Sequence, residues 1–183
     1  MGVKLASARG LNSIFEPGLV LLTTQTFSGV TSVSLPDNTF SATYDNYKII
    51  VDLDSVSGTT PTITARFRAG GVNTTASSYK AGGRLTYQTT SPASFNDQDA
   101  AFIALGQINT GEGNRVAYTM ELIAPFATKK THYFVGGTGS DTTQNFGYYK
   151  SGFYDVTTSF DSLSLIASTG NFDGIITAYG YNK

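Results

Sequence analysis

Few residues of this chain have the types and spacing that chemistry requires. His132 is the single histidine, and the sequence contains no cysteine. A Ser-His-Asp triad needs a histidine as its base, and metal sites built from several histidines or cysteines are excluded. Tyr133 and Val135 alternate with His132 in a strand-like run, which predicts that these two side chains point inwards. We therefore expect His132 at the surface or in an interface rather than in an active site.

Two pairs of carboxylates are spaced for acid–base chemistry: Asp52 with Asp54, and Asp97 with Asp99. Residues i and i+2 of a strand share a face at roughly 6.7 Å, which lies within the roughly 5 to 9 Å that separates paired glycosidase carboxylates. Any strand with an acidic surface meets this condition, so a carboxylate-pair glycan hydrolase is the least favoured function. The run 97–99, in a predicted loop, offers oxygen ligands to calcium but lacks the acidic twelve-residue pattern. We predict no enzymatic activity, metal or cofactor.

The remaining polar and glycine motifs are weaker. Arg66 and Arg68 share one strand face, where they suit either an anionic partner or a solvated surface. The glycine pairs at 70–71 and 82–83 are predicted in loops, without the strand-glycine-helix context of a phosphate cradle. A net charge of −1 without a basic stripe predicts no nucleic-acid partner.

The elements that must position these residues are strands. In residues 44–54 and 61–69, apolar and polar side chains alternate, as in a sheet with one buried and one wet face. We predict strands at 19–27, 30–35, 44–54, 61–69, 84–89, 100–108, 115–123, 131–136, 145–157, 160–168 and 172–181. Long loops at 70–83 and 89–99 favour Greek-key connections. The pattern predicts an all-β fold, an antiparallel β-sandwich, jelly roll or barrel. Its inward residues are predicted to include Tyr47, Ile49, Val51, Ile63, Phe67, Tyr118, Met120, Leu122, Leu163 and Leu165.

Residues 1–17 follow neither the helical nor the strand period. We predict a short N-terminal arm over 1–17 and a β-sandwich domain over 18–183. Apolar and basic side chains of the arm are predicted to bind a partner: Val3, Lys4, Leu5, Arg9, Leu11, Ile14 and Phe15. No apolar run has the length of a membrane span or of a signal sequence, so we expect no membrane partner.

An aromatic run at 146–154 has rings on both faces of its predicted strand. Phe146, Tyr148 and Tyr154 share one face, and Tyr149 and Phe153 share the other. Because one core can bury only one face, we predict a second burial against the other sheet or a neighbouring subunit, and we assign these five residues to a subunit interface. Exposed sugar-binding rings are the competing interpretation.

Three stretches resemble structural modules of tailed-bacteriophage virion proteins. They are GLVLLTTQTFSGVTSVSL at 18–35, FSATYDNYKIIVDLD at 40–54, and the closing GIITAYGYNK at 174–183. The likeness covers roughly residues 18–70 and 160–183. Such modules occur in tail fibres, tail-tip proteins and capsid decorations.

The resemblance implies a jelly-roll-like virion component that forms homotrimers. We expect a capsid decoration or cement protein that binds the major capsid protein or another virion protein, and that is assembled into the virion in the host cytoplasm. A tail-fibre or receptor-binding tip that recognises host glycan is the alternative.

Overall fold

The structure is a computed structural model that describes residues 18–58, 61–88, 90–107, 115–140 and 145–183. The predicted arm, with its seven partner-binding residues, lies outside these ranges. The described residues contain thirteen strands and no helix. In chain order they are β1 (Leu19–Val30), β2 (Ser32–Ser34), β3 (Asn46–Val56), β4 (Thr62–Ala69), β5 (Val72–Asn73), β6 (Tyr79–Tyr87), β7 (Ala93–Ala100), β8 (Ile103–Gln107), β9 (Val116–Ile123), β10 (His132–Ser140), β11 (Asn145–Tyr154), β12 (Ser162–Ala167) and β13 (Phe172–Tyr181).

Two antiparallel sheets pack face to face and confirm the predicted β-sandwich. The larger sheet has the order β1-β13-β3-β9-β10-β11-β6-β7, and the smaller has β2-β12-β4-β5 with β8 also paired to β4. Eight strands form nested antiparallel pairs: β1 with β13, β2 with β12, β3 with β9, and β4 with β8. This nesting, with successive pairs in alternate sheets, is the connectivity of a jelly roll.

Two insertions widen the larger sheet. The strands β6 and β7 lie between β4 and β8 in the chain, and β10 and β11 lie between β9 and β12. They join in the order β10-β11-β6-β7 beside β9. We call these four strands the sheet extension, and the eight nested strands the jelly-roll core.

The hydrophobic core follows the two-residue repeat of the sequence. All ten residues predicted to point inwards are at most 1% exposed, because a strand directs alternate side chains into the space between the sheets. Phe67 lies where the core meets the extension, and its ring stacks on Phe160 with centroids 4.8 Å apart and on Tyr79 at 5.7 Å.

The predicted loops at 70–83 and 89–99 are wrong. The first contains β5 and the start of β6, including Gly82 and Gly83, and the second contains most of β7. Polar residues fill β7 around the single large apolar residue Phe95, so no apolar alternation marks this edge strand. The predicted Greek-key topology therefore rests on the nested pairing of the strands, and not on the long loops from which it was inferred.

Candidate functional site

The segment 40–47 builds a corner at the start of β3. The Tyr47 hydroxyl accepts a hydrogen bond from the Ser41 amide at 2.7 Å and donates to the Ser41 carbonyl at 2.8 Å. Its ring packs on Phe40 with centroids 4.7 Å apart. Burial raises the pKa of Tyr47, so the hydroxyl stays protonated and acts as a structural clamp.

The closing motif packs on this corner. A Cβ at Gly180 would lie 2.5 Å from the Tyr44 ring, so only glycine fits there. The Lys183 ammonium lies 2.9 Å from Asp45. The strands β1 and β3 flank β13 on its two sides, and the three stretches that carry the resemblance therefore form one contiguous structural unit.

The carboxylates Asp52 and Asp54 share the outward face of β3, as predicted, and both are bound by one arginine. Arg115 Nη2 lies 2.8 Å from Asp52 and 3.1 Å from Asp54. A general acid must exchange a proton at its carboxyl group, and here both carboxylates form ion pairs with the same guanidinium.

Asp97 and Asp99 lie on β7 and diverge. Asp97 points inwards and forms an ion pair of 2.5 Å with Lys150, whose ammonium lies 4.9 Å from the Phe95 ring centroid. Burial lowers the pKa of Lys150, and the contact with Asp97 opposes this effect. Asp99 points to solvent and lies 3.5 Å from Lys80. No group of three or more potential metal ligands occurs among the described residues.

The predicted arginine pair shares a face of β4. Arg68 lies 3.4 Å from Asp37 and donates a 2.6 Å hydrogen bond to the Gly71 carbonyl. Gly70 and Gly71 both have positive φ and form the turn between β4 and β5. Arg68 therefore holds this turn, and its guanidinium is already engaged within the chain.

The aromatic strand divides as its alternation predicts, which narrows the interface prediction. Phe146, Tyr148 and Tyr154 are at most 7% exposed and pack inside the chain, with the Tyr148 hydroxyl donating to the Ala104 carbonyl of β8 at 2.5 Å. They are therefore corrected to core residues, and the predicted second burial against a subunit now concerns only the other face of the strand. Tyr149 and Phe153 point outwards, and Tyr149 is 54% exposed.

Most of the exposed large hydrophobic residues lie on the surface of the larger sheet that points away from the smaller sheet, here called the outer face. Of the nine exposed large hydrophobic residues described, seven lie on it: Leu19, Leu21, Ile50, Ile123, Phe134, Tyr149 and Ile175. We call Leu19, Leu21, Ile50 and Ile175 the outer patch, because they share the adjacent strands β1, β13 and β3. The patch lies on the structural unit formed by residues 18–35, 40–54 and 174–183.

The outer face of the extension contains a shallow cavity of about 370 Å³, here called the outer groove. Its lining includes Lys80, Gly82, His132, Phe134, Ser151 and Phe153. Two cross-strand rows build it: Phe134, Ser151 and Gly82 in one, and His132, Phe153 and Lys80 in the next.

The exposed His132, predicted to lie at the surface, stands over this groove with its ring 5.7 Å from that of Phe153. Phe134 also points outwards, because it alternates with the core residues Tyr133 and Val135. Gly82 was missed because its strand was predicted as a loop. The neighbours across the groove depend on the pairing of β10, β11 and β6, which no local pattern reveals.

A cluster of charges closes one end of the outer groove. Asp155 accepts hydrogen bonds from Lys130 and from Lys80, the latter at 2.9 Å. Hydrogen bonds from Lys130 and Lys80 lower the pKa of Asp155 to about 2, and the contact with Asp155 raises the pKa of Lys80. Asp155 and Lys80 are therefore ionised at neutral pH.

No family model, curated protein or solved structure matches this chain. In the described ranges, no helix has the length and apolarity to cross a bilayer.

Proposed function

We propose that this protein is a structural component of a tailed-bacteriophage virion, specifically a capsid decoration or cement protein without enzymatic activity. The observation that carries the proposal is the convergence of the three phage-like stretches on β1, β13 and β3, whose outward side bears the outer patch. An exposed cluster of large apolar side chains on a folded surface is typical of a protein–protein contact.

Burial of this patch gives a mechanism for stabilising a shell. Each large aliphatic side chain contributes roughly 1.5 to 3 kcal/mol when it moves from full exposure to full burial. Leu21 is 57% exposed, Ile175 is 37% exposed and Ile50 is 36% exposed, so each retains only part of that contribution for a partner. A ligand that binds the assembled state alone stabilises it by mass action, and many such copies would reinforce a lattice.

The paired carboxylates support a non-catalytic role. Arg115 binds both Asp52 and Asp54, and Lys150 binds Asp97. Hydrolysis of a polysaccharide panel by the purified protein would contradict this part of the proposal.

The position on the particle is tested by counting copies. Quantitative mass spectrometry of purified particles should give a copy number in simple ratio to the major capsid protein, and electron microscopy should place the chain on the shell. A few copies at the tail tip would support the alternative, a receptor-binding protein. Absence from the particles would contradict both.

The patch and the arm are tested separately. Leu21→Ser combined with Ile50→Ser should weaken binding to particles stripped of this protein, while Val72→Ser, which removes an exposed side chain of the smaller sheet, should leave binding unchanged. Deletion of residues 1–17 should leave a folded body that no longer binds such particles. Tight decoration by the truncated chain would show that the arm is not the anchor.

Self-association remains a prediction. Light scattering at micromolar concentration should give three times the chain mass of 19.4 kDa if the protein is a homotrimer. A chain that stays monomeric both in solution and on the particle would contradict it. Tyr149→Ser tests the most exposed aromatic residue of the predicted interface.

A further inference from the structure

We propose that the outer groove is a saccharide-binding site, in which a sugar ring stacks on Phe134. Ser151, His132 and Lys80 supply hydrogen bonds to the sugar hydroxyls. The site lies on the sheet extension, away from the outer patch, and it does not depend on the proposed role in the virion.

Adjacent glycines on the extension supply the first argument. A glycine inside a strand costs roughly 0.5 to 1 kcal/mol relative to alanine, so its retention needs a reason. The inward members of two Gly-Gly pairs have one: a Cβ at Gly83 would lie 2.4 Å from the Phe95 ring, and a Cβ at Gly137 would lie 2.3 Å from the Tyr118 ring. These positions admit no side chain.

The outward members of the same pairs, Gly82 and Gly136, have no such steric reason to be glycine. A Cβ at Gly82 or Gly136 would meet no atom within 4 Å, and neither residue has a positive φ. The described part of the chain therefore does not require glycine at either position. A strand glycine of this kind often marks a place where a ligand approaches the backbone closely.

The surroundings of Phe134 show what the small residues achieve. Phe134 is 42% exposed although it lies in the middle of an eight-stranded sheet. Gly136 follows it on the same face, and Ser151 and Gly82 lie beside it across the neighbouring strands. None of these residues is large enough to cover the ring, so its surface stays open.

The polar groups of the groove match a sugar. Lys80 lies at the end of the groove, paired with Asp155 at 2.9 Å, and His132 stands over Phe153. A sugar ring presents apolar C–H groups on its faces and hydroxyls, which both donate and accept hydrogen bonds, at its edge. Small-molecule sites characteristically combine apolar walls with a few convergent polar groups in this way.

The size of the groove favours a saccharide over a protein. Its volume of about 370 Å³ lies at the lower end of the roughly 300 to 1,000 Å³ range of small-molecule sites. A stable protein interface buries roughly 800 Å² on each partner and is depleted in lysine at its centre.

Binding of the full chain to an array of immobilised oligosaccharides tests the proposal. The array should contain neutral hexoses, deoxyhexoses, N-acetylhexosamines and uronic acids, and the strongest ligand is then titrated by calorimetry. Phe134→Ala should weaken its affinity by about tenfold or more, the loss expected when one aromatic anchor is removed. Gly82→Val should weaken it comparably by filling the floor, without lowering the unfolding temperature.

Ala117→Val is the matched control, because it adds a similar bulk to the outer face on β9 outside the groove. It should leave the affinity unchanged. A wild-type chain that binds no sugar on the array overturns the proposal, as does a Gly82→Val chain that binds as tightly as wild type. If Gly82→Val instead changes the oligomeric mass in light scattering, the face is a subunit interface and the saccharide proposal is overturned.

Discussion

The jelly-roll core and the sheet extension fill their interiors in different ways. The eight core strands contain four glycines, and the four strands of the extension contain seven. In the core, aliphatic chains such as Val51 and Leu163 interdigitate between two sheets. In the extension, rings lie flat on glycine backbones, as Phe95 lies on Gly83. In this sheet, a glycine that points inwards makes room for a packed ring, and a glycine that points outwards leaves the surface around it uncovered.

Alkaline pH should give the largest effect, and it should act on both regions. Burial raises the pKa of Tyr79, Tyr133 and Tyr148 in the extension and of Tyr47 and Tyr118 in the core. Each stays neutral in the folded chain while the unfolded chain ionises near pH 10, so its stabilisation is complete below about pH 10 and is lost as pH rises further. We expect a loss of up to about 1.4 kcal/mol per tyrosine per pH unit above that point.

Denaturant unfolding between about pH 9 and about pH 11 measures this loss. Tyr133→Phe should reduce the steepness of the decline. A free energy of unfolding that stays constant up to about pH 11 would show that these hydroxyls are not sequestered on folding.

Truncation of a leucine should give the next largest effect, and the loss of stability should be larger in the core than in the extension. Leu163→Ala in the core should lower the free energy of unfolding by about 2 to 4 kcal/mol, because it leaves a cavity between packed sheets. Leu85→Ala on β6 should cost less than half of that, since Leu85 is only partly buried. Equal losses in chemical denaturation would mean that the extension is packed as tightly as the core.

Neighbouring glycines on β10 provide the sharpest comparison within one strand. Gly137→Val should destabilise the fold by about 1 to 3 kcal/mol, because the added side chain is forced against the Tyr118 ring. Gly136→Val should be neutral or stabilise by up to about 1 kcal/mol, because valine favours strands and meets no neighbour. Thermal unfolding of both variants measures the difference. A destabilised Gly136→Val variant would show that the added side chain meets a neighbour, contrary to the open surface at this position.

Two buried hydroxyls should give the smallest, and opposite, effects. The Tyr118 hydroxyl has no hydrogen-bond partner among the described residues, so Tyr118→Phe should stabilise by about 1 kcal/mol. Tyr148→Phe removes the bond to the Ala104 carbonyl and should destabilise by about the same amount. If unfolding in denaturant shows that both variants are stabilised or that both are destabilised, the two hydroxyls do not differ in hydrogen bonding as described.

The sequence predicts the core because its signal is local. Ile49 and Val51, or Leu163 and Leu165, mark a buried face through the two-residue repeat alone, and all of them are buried. The same repeat placed His132 outside and divided the aromatic strand correctly into two faces. The repeat could not identify the partner against which the inward aromatic face packs. For Tyr148, that partner is β8 of the same chain.

The extension was predicted only in part: the strands predicted at 84–89, 131–136 and 145–157 overlap β6, β10 and β11, whereas β7 was missed. Gly83 packs against the Phe95 ring of β7 and the Tyr149 backbone carbonyl of β11, and neither is near it in the sequence. Asp97 points inwards to meet Lys150 from another strand, so β7 lacks the apolar alternation that marks a strand. The outer groove combines residues from β6, β10 and β11 and therefore becomes visible only when the pairing is known.

The nested pairing also has a consequence for how the chain is made. Leu19 pairs with Tyr181, so the first strand of the sandwich waits for the last before its sheet can close. Folds dominated by such distant pairings fold slowly, and a chain synthesised at roughly 5 to 20 residues per second must wait several seconds with β1 unpaired. Because β1 contains no charged residue, it is exposed to wrong partners during that interval. Nascent chains that stall before β13 are therefore expected to aggregate or to recruit chaperones, and the yield of folded protein should depend on how quickly the final strand is delivered.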